Sequence, residues 1–235
     1  MSELSARDRI IIPLDVPSET EAVRLAALLA PHVGAFKVGL ELFNATGPSI
    51  FAALAQVGGR VFYDAKLHDI PNTVAGAVTA VGRHGLWMLN VHTTGGSAMM
   101  RAAVEANRQA RSRPLLIGVT VLTSLDADAL RDELGVAAAP LEHVVHLARL
   151  AQASGLDGVV CSPLEAAAIR AACGPQFVIV TPGVRPAGAA VGDQKRIATP
   201  RAAVEAGADY LVIGRPITQA ADPVAAAQAV AAELS

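Results

Sequence analysis

Three charged residues stand close together directly after a short apolar run. Val61-Phe62-Tyr63 reads as the body of a β-strand, and Asp64, Lys66 and Asp69 follow it. Because side chains alternate between the two faces of a strand, Asp64 and Lys66 should point the same way, with Asp69 just beyond and within reach of both. Two carboxylates and an ammonium are costly to bury together unless a function requires them. The spacing therefore indicates charge chemistry on a small anionic substrate.

Short apolar runs alternate with longer helical patterns along the whole chain. The apolar runs predict eight strands, over residues 10–14, 35–38, 60–63, 88–91, 115–121, 158–161, 177–181 and 210–213. Helical patterns follow them, for example over residues 19–30, 73–84, 97–110, 141–154, 163–172 and 200–206. Eight βα units of about 25–30 residues predict an α/β fold, a single-domain (β/α)8 TIM barrel over residues 1–235. An open, doubly wound parallel sheet is the alternative.

A barrel places its chemistry at the carboxyl ends of the strands. Polar or glycine residues lie at the ends of most of the predicted strands or just beyond them: Asp15, Lys37, Asp64, Lys66, His92, Thr123, Ser124, Thr181, Gly183, Arg185, Gly214 and Arg215. The charges would alternate in sign around the barrel mouth, which favours a preorganised electrostatic site, at Asp15, Lys37, Asp64, Lys66 and Asp69. The alternative is an ion-pair network that only closes the barrel, although barrel interiors usually hold branched apolar residues.

Two segments near the C-terminal end could bind a phosphate group. Residues 213–217, Ile-Gly-Arg-Pro-Ile, have the pattern of a strand, a tight turn and a helix start. Backbone N–H groups there, with the guanidinium of Arg215, would form an anion site. The glycine-rich segment 183–196 is longer than most loops and carries donors that could close over the phosphate: Arg185, Gln194, Lys195 and Arg196. An ordinary turn and a surface loop without function are the alternatives.

Composition argues against several other classes of protein. The 235-residue chain is 52% hydrophobic, with a net charge of -2 and a pI near 6.3, which argues against a surface for nucleic acid or anionic membranes. No apolar run approaches the ~20 residues that span a bilayer, and the polar N-terminal segment does not resemble a signal peptide. We therefore expect a cytoplasmic protein.

Cys161 and Cys173 are predicted to be buried, reduced thiols. His92 could be either a structural residue or a ligand-binding one.

The ordered set of motifs resembles the orotidine 5′-phosphate decarboxylase family over nearly the whole chain. The most specific likeness is Asp64-Ala-Lys66-Leu-His-Asp69-Ile-Pro-Asn-Thr73. The other matching segments are Leu14-Asp15-Val-Pro, Phe36-Lys37-Val-Gly-Leu-Glu-Leu-Phe, Val91-His92 with Gly95-Gly96, Val119-Thr-Val-Leu-Thr123-Ser124, Thr181-Pro182-Gly-Val-Arg185, Gly192-Asp-Gln194-Lys-Arg and Ile213-Gly214-Arg215-Pro-Ile. Ala65 departs from the family pattern, where a bulkier apolar residue is common, and we expect only a packing difference there.

The resemblance implies a reaction, an assembly and a set of roles. The enzyme would convert orotidine 5′-monophosphate to uridine 5′-monophosphate and CO2 in pyrimidine biosynthesis, without metal or organic cofactor. Lys66 would protonate C6 as the carboxylate leaves, beside Asp64. Asp69 and Thr73 would reach into the neighbouring site of a homodimer. Asp15 and Lys37 would contact the ribose, and Lys37 would also bridge the carboxylates. Ser124 and the Thr123 backbone would contact the pyrimidine. The residues implied for the rest of the substrate, chiefly its phosphate, are Pro182, Arg185, Gln194, Gly214 and Arg215.

Three competing hypotheses remain open from the sequence. Metal-dependent sugar-phosphate decarboxylases or aldolases resemble this pattern, but they place a glutamate on strand 2, where this chain has Lys37. A non-catalytic nucleotide-binding barrel would have kept the pocket and lost the chemistry. Lys66 could also act as a Schiff-base nucleophile, although neighbouring carboxylates favour its ammonium form, which is not nucleophilic.

Overall fold

Eight parallel strands form a closed barrel in the computed structural model, which describes residues 4–186 and 198–235. The strands pair in chain order and β8 returns to β1, so the barrel prediction is confirmed and the open sheet is excluded. The strands are β1 Ile10–Pro13, β2 Ala35–Val38, β3 Val61–Leu67, β4 Met88–His92, β5 Leu115–Val119, β6 Gly158–Val160, β7 Val178–Thr181 and β8 Tyr210–Val212.

Each strand is followed by at least one helix, as the alternating pattern predicts. They are α1 Glu19–Leu29, α2 Leu40–Thr46, α3 Ser49–Gln56, α4 Pro71–Val81, α5 Gly96–Arg108, α6 Pro140–Ala153, α7 Ala166–Cys173, α8 Pro200–Glu205, α9 Arg215–Thr218 and α10 Pro223–Glu233. Several of them begin at a proline, whose fixed φ and missing N–H suit the first helical position. Within the described ranges, none of the helices is long and apolar enough to cross a membrane.

The barrel interior is packed with side chains from alternate strand positions, and its amino-terminal end is closed. The interior cluster is Ile11, Ala35, Phe62, Met88, Ile117, Val178, Val180, Tyr210 and Val212. At the end where the strands begin, the rings of Trp87 and Tyr210 pack edge to face with centroids 5.1 Å apart. The guanidinium of Arg60 lies 4.7 Å from the Trp87 ring centroid. Since this end is filled, the space for a ligand lies at the carboxyl ends of the strands.

Strand β3 is longer and less regular than its sequence predicts. The prediction ends it at residue 63, whereas the structure extends it to Leu67 with a break in register. Tyr63 pairs with Leu89 and Leu67 with Val91, so residues 64–66 of β3 face the single residue Asn90 of β4. Such a bulge re-aims side chains, which is why polar residues can continue this strand beyond its apolar part. Strand β5 is shorter than predicted and ends at Val119.

Candidate active site

Four charged side chains, which lie on or just after three neighbouring strands, form a chain of alternating sign at the barrel mouth. The Lys37 ammonium lies 3.3 Å from Asp15 Oδ1 and 3.2 Å from Asp64 Oδ2. The Lys66 ammonium lies 2.7 Å from Asp64 Oδ1. Asp64 and Lys66 therefore do point the same way, and the structure brings them together with Asp15, just after β1, and Lys37 of β2. Only three lysines occur in the whole sequence, and two of them meet at this one carboxylate.

Asp64 is the centre of this arrangement and is only 9% exposed. Burial alone would raise the pKa of its carboxyl group, but the charges of Lys37 and Lys66 outweigh burial and hold that pKa below its ordinary value. Hydrogen bonds from the Lys66 ammonium and from the Asn90 amide, each 2.7 Å long, act in the same direction. Asp64 is therefore a carboxylate at neutral pH, with a donor or cation at both oxygens.

Asn90 is a member of the site that the sequence analysis missed. Its side chain is fully buried, donates to Asp64 Oδ1 and accepts the backbone N–H of Lys66 at 2.7 Å. Lys66 itself has a positive backbone φ of 51°, which is uncommon for a residue other than glycine. The available signal was a single polar residue inside the apolar run Met88-Leu-Asn-Val of a predicted strand.

A cavity opens above this charged group, with mostly apolar walls. Lys37, Asp64 and Lys66 line one side of it. The other lining residues are Phe62, Val119, Val121, Leu122, Thr123, Val160, Cys161, Pro182 and Val212. Thr123 lies at this cavity as predicted, whereas Ser124 is exposed in the following turn and is not among the described lining residues. Cys161 is a buried thiol, as predicted, and forms part of the wall.

A second cavity adjoins the first and is strongly basic. The two share Lys37, Pro182 and Val212, and the second is also lined by Pro13, Asp15, Gly183, Arg185, Gly214, Arg215 and Gln219. Arg185 is only 8% exposed. Burial, and then the nearby charge of Arg215, lower the pKa of its guanidinium. Two guanidinium groups at one cavity repel each other unless an anion binds between them, so the arrangement suits a phosphate.

Gly214 follows strand β8 and packs closely against Pro13 of strand β1. A Cβ atom at this position would lie 2.9 Å from Pro13 Cγ, which is closer than side chains normally pack. The helix that follows, Arg215–Thr218, has only four residues, so the guanidinium groups are the main source of positive charge here. Gln194, Lys195 and Arg196 lie outside the described residues. The chain leaves this region and returns to it at neighbouring points, since the N–H of Arg185 donates to the Ala198 carbonyl at 2.9 Å.

Asp69 and Thr73 are exposed and do not join the charged group within their own chain. The Asp69 carboxylate accepts the N–H of Ile70 at 2.6 Å, and in the described part of the chain no ion pair links it to Lys66. His92 is half-buried, and its ring centroid lies 5.4 Å from that of His68. Burial, and then the charges of His68 and Lys66, lower the pKa of His92, which disfavours a charged imidazole there.

Comparison with known proteins points to a single family. Residues 8–230 match the model of the orotidine 5'-phosphate decarboxylase / HUMPS family. The chain is 56% identical over 239 residues to an orotidine 5'-phosphate decarboxylase of Moorella thermoacetica, covering 100% of this chain and 95% of that protein. It is 57% identical over 227 residues to the enzyme of the same name from Halorhodospira halophila, covering 97% and 96% of the two chains.

A solved structure agrees with this assignment. The orotidine 5'-phosphate decarboxylase of Lactobacillus acidophilus superimposes with a TM-score of 0.85 at 39% identity. The match covers 96% of this chain and 98% of that one. Sequence likeness and fold likeness therefore extend over the same, nearly complete length. From the matched family model and these relatives, the chain belongs to the orotidine 5′-phosphate decarboxylase / HUMPS family.

Proposed function

We propose that this chain decarboxylates orotidine 5′-monophosphate to uridine 5′-monophosphate and CO2, a step of pyrimidine biosynthesis, with residues 1–235 acting as one catalytic domain. The alternating charge chain Asp15–Lys37–Asp64–Lys66 is the observation that carries the proposal. The relatives of more than 50% identity, which bear the name of this enzyme, support it. The adjoining basic cavity would take the phosphate, and the mostly apolar one would take the pyrimidine.

The proposed chemistry places charge where the reaction needs it. Loss of CO2 from C6 leaves a carbanion without a good electron sink, so a nearby ammonium must stabilise it and then protonate it. Lys66 is the group proposed for both tasks. Asp64 would stand beside the substrate carboxylate and repel it until CO2 departs. Two like charges ~4 Å apart at an effective dielectric of ~20 interact by roughly 4 kcal/mol, or about three decades of rate.

The remaining stabilisation of the transition state would come from binding the distant phosphate of the substrate. Binding energy of a non-reacting group can be used to hold the reacting carbon in a site made for the transition state. Arg185 and Arg215 are proposed to supply it, with Gln194 as a further donor. Thr123 and Ser124 are proposed to contact the pyrimidine, and Pro182, which lines both cavities, to contact the rest of the substrate. No metal or organic cofactor takes part in this proposal.

Lys37 distinguishes the proposed reaction from the metal-dependent ones of similar barrels. A divalent cation at Asp64 would need carboxylate oxygens that are open to it, because Mg2+ prefers oxygen ligands. Here ammonium groups lie 3.2 Å and 2.7 Å from the two Asp64 oxygens. A cation at the same place would be repelled by both lysines. This charge pattern favours the decarboxylation of orotidine 5′-monophosphate over metal-dependent sugar-phosphate chemistry.

The direct test is an ultraviolet assay of orotidine 5′-monophosphate loss by the purified chain, with and without an excess of chelator. We expect turnover at the same rate in both. The Lys66→Ala protein, purified in the same way, controls for contaminating host enzyme. Absence of turnover would favour a nucleotide-binding barrel without catalysis, and loss of turnover with chelator would favour the metal-dependent reaction.

We further propose a homodimer in which Asp69 and Thr73 complete the partner's site. Both side chains are exposed near the barrel mouth, and the Asp69 carboxylate is not paired with its own Lys66 in the described residues. Ile70, between them, is 68% exposed, which is unusual for an isoleucine and suits a surface that a second subunit covers. A cytoplasmic location stays a prediction from composition.

Replacing Arg215 by alanine tests the phosphate assignment. Loss of a charge-assisted pair is typically worth ~1.5–3 kcal/mol, so we expect kcat/KM to fall at least roughly tenfold for orotidine 5′-monophosphate. The slow reaction of orotidine, which lacks the phosphate, should change little. Arg24→Ala removes an exposed guanidinium on the outer helix α1 and serves as the matched control. Equal proportional losses on both substrates would contradict the phosphate assignment.

A further inference from the structure

Asn90 occupies a position where the ladder between β3 and β4 is interrupted. Three residues of β3, 64–66, face this one residue of β4, so regular backbone pairing stops between Tyr63–Leu89 and Leu67–Val91. The side chain of Asn90 fills the interruption and is fully buried. It replaces a lost ladder bond by accepting the N–H of Lys66 at 2.7 Å. The bulge is thereby held by a side chain instead of by backbone pairing.

The same amide also fixes the charged group above it. Its NH2 donates to Asp64 Oδ1 at 2.7 Å, the same oxygen that the Lys66 ammonium approaches at 2.7 Å. One planar group therefore ties the Lys66 backbone to the Asp64 carboxylate. Holding both partners requires one donor and one acceptor on a side chain as long as asparagine. A carboxylate lacks the donor, and an apolar side chain lacks both.

We propose that Asn90 is a positioning residue for the reaction, which holds the Asp64 carboxylate and the left-handed backbone of Lys66 in one fixed relation. This inference rests on the proposed function. Asn90 does not line the described cavities and is not assigned a contact with substrate. Its effect is on the alignment of the two groups that act on C6. Misalignment of such groups lowers kcat more than it lowers affinity for the product.

Asn90→Asp is the sharpest test, because it keeps the volume and the acceptor but loses the donor. At about pH 8 the new carboxylate would face Asp64, and we expect kcat to fall at least tenfold, with KM and affinity for uridine 5′-monophosphate within about threefold of wild type. Two carboxylates in one buried site share a proton as the pH falls. A protonated Asp at position 90 regains a donor, so the deficit relative to wild type should shrink at least threefold by about pH 5.5.

Two further variants separate positioning from packing. Asn90→Ser is smaller and cannot span both partners, so kcat should fall without any recovery at low pH. Asn107→Asp is the matched control, since Asn107 is a buried asparagine on the outer helix α5 whose amide donates to the Pro114 carbonyl at 2.8 Å. It is expected to lower the melting temperature and to leave kcat within about threefold of wild type.

The outcomes decide the proposal in either direction. Retention of kcat within threefold in Asn90→Asp, or in Asn90→Ser should the aspartate variant not fold, would overturn it. A deficit of Asn90→Asp that is the same at both pH values, or an equal loss of kcat and product affinity, would also overturn it. Turnover by wild type in the same assay establishes the proposed function separately, so failure of the positioning role is distinguishable from failure of the reaction.

Discussion

Lys66→Ala is expected to lower kcat by at least about 10³-fold while leaving the barrel folded. The ammonium is assigned two tasks, stabilising the carbanion and delivering the proton, and each is typically worth two or more decades of rate. Asp64 keeps its contacts with Lys37 and Asn90 in this variant, so its buried charge stays compensated. The measurement is kcat for orotidine 5′-monophosphate, with affinity for uridine 5′-monophosphate as the check on folding.

Lys66→Arg separates the two tasks. A guanidinium keeps the positive charge but does not release its proton in the accessible pH range, so it can stabilise the carbanion without protonating it. We expect its kcat to stay far below wild type. If Lys66→Ala kept a tenth of wild-type activity, the proposed mechanism would be untenable.

Mixing two inactive proteins, Lys66→Ala and Asp69→Ala, is expected to restore activity. In a mixed dimer one site combines the native Lys66 of one chain with the native Asp69 of the other, while the second site carries both substitutions. Random exchange at equal amounts would make half of the dimers mixed, so about a quarter of wild-type activity is the expected ceiling for a two-fold symmetric assembly.

The control for this experiment is a mixture of Lys66→Ala with Asp64→Asn. These two residues are in contact within one chain, with 2.7 Å between the ammonium and the carboxylate, so no mixed dimer would contain a complete site. This mixture should stay inactive. No recovery in the Asp69 mixture, once subunit exchange has been verified, would show that each site is built from one chain.

The fold was predictable from the sequence because the barrel repeats one signal eight times. Each strand is a short apolar run followed by a helical pattern, and errors of a few residues at the ends do not change the order of the elements. The strand pairing then follows from the rule that consecutive parallel strands lie side by side. The largest error, the early end assigned to β3, arose because Asp64 and Lys66 lack the apolar character that marks a strand interior.

The candidate site was predictable where function depends on residue type at a strand end, and less so where it depends on packing. The grouping of Lys37, Asp64 and Lys66 follows from strand alternation and barrel order. The role of Asn90 depends on a bulge, which no periodicity in the sequence announces. The expected position of Asp69 near Asp64 and Lys66 assumed a regular chain path, whereas residues 68–73, which follow the end of β3, are exposed.

Lys66 is a position at which folding and catalysis make opposite demands. A residue with a Cβ atom in the left-handed region, here at a φ of 51°, costs roughly 1–2 kcal/mol, which glycine avoids. Glycine, however, carries no ammonium. Against a net stability of roughly 5–15 kcal/mol for a typical domain, that cost is not small. The lysine at position 66 is therefore expected to serve the proposed chemistry rather than the stability of the fold.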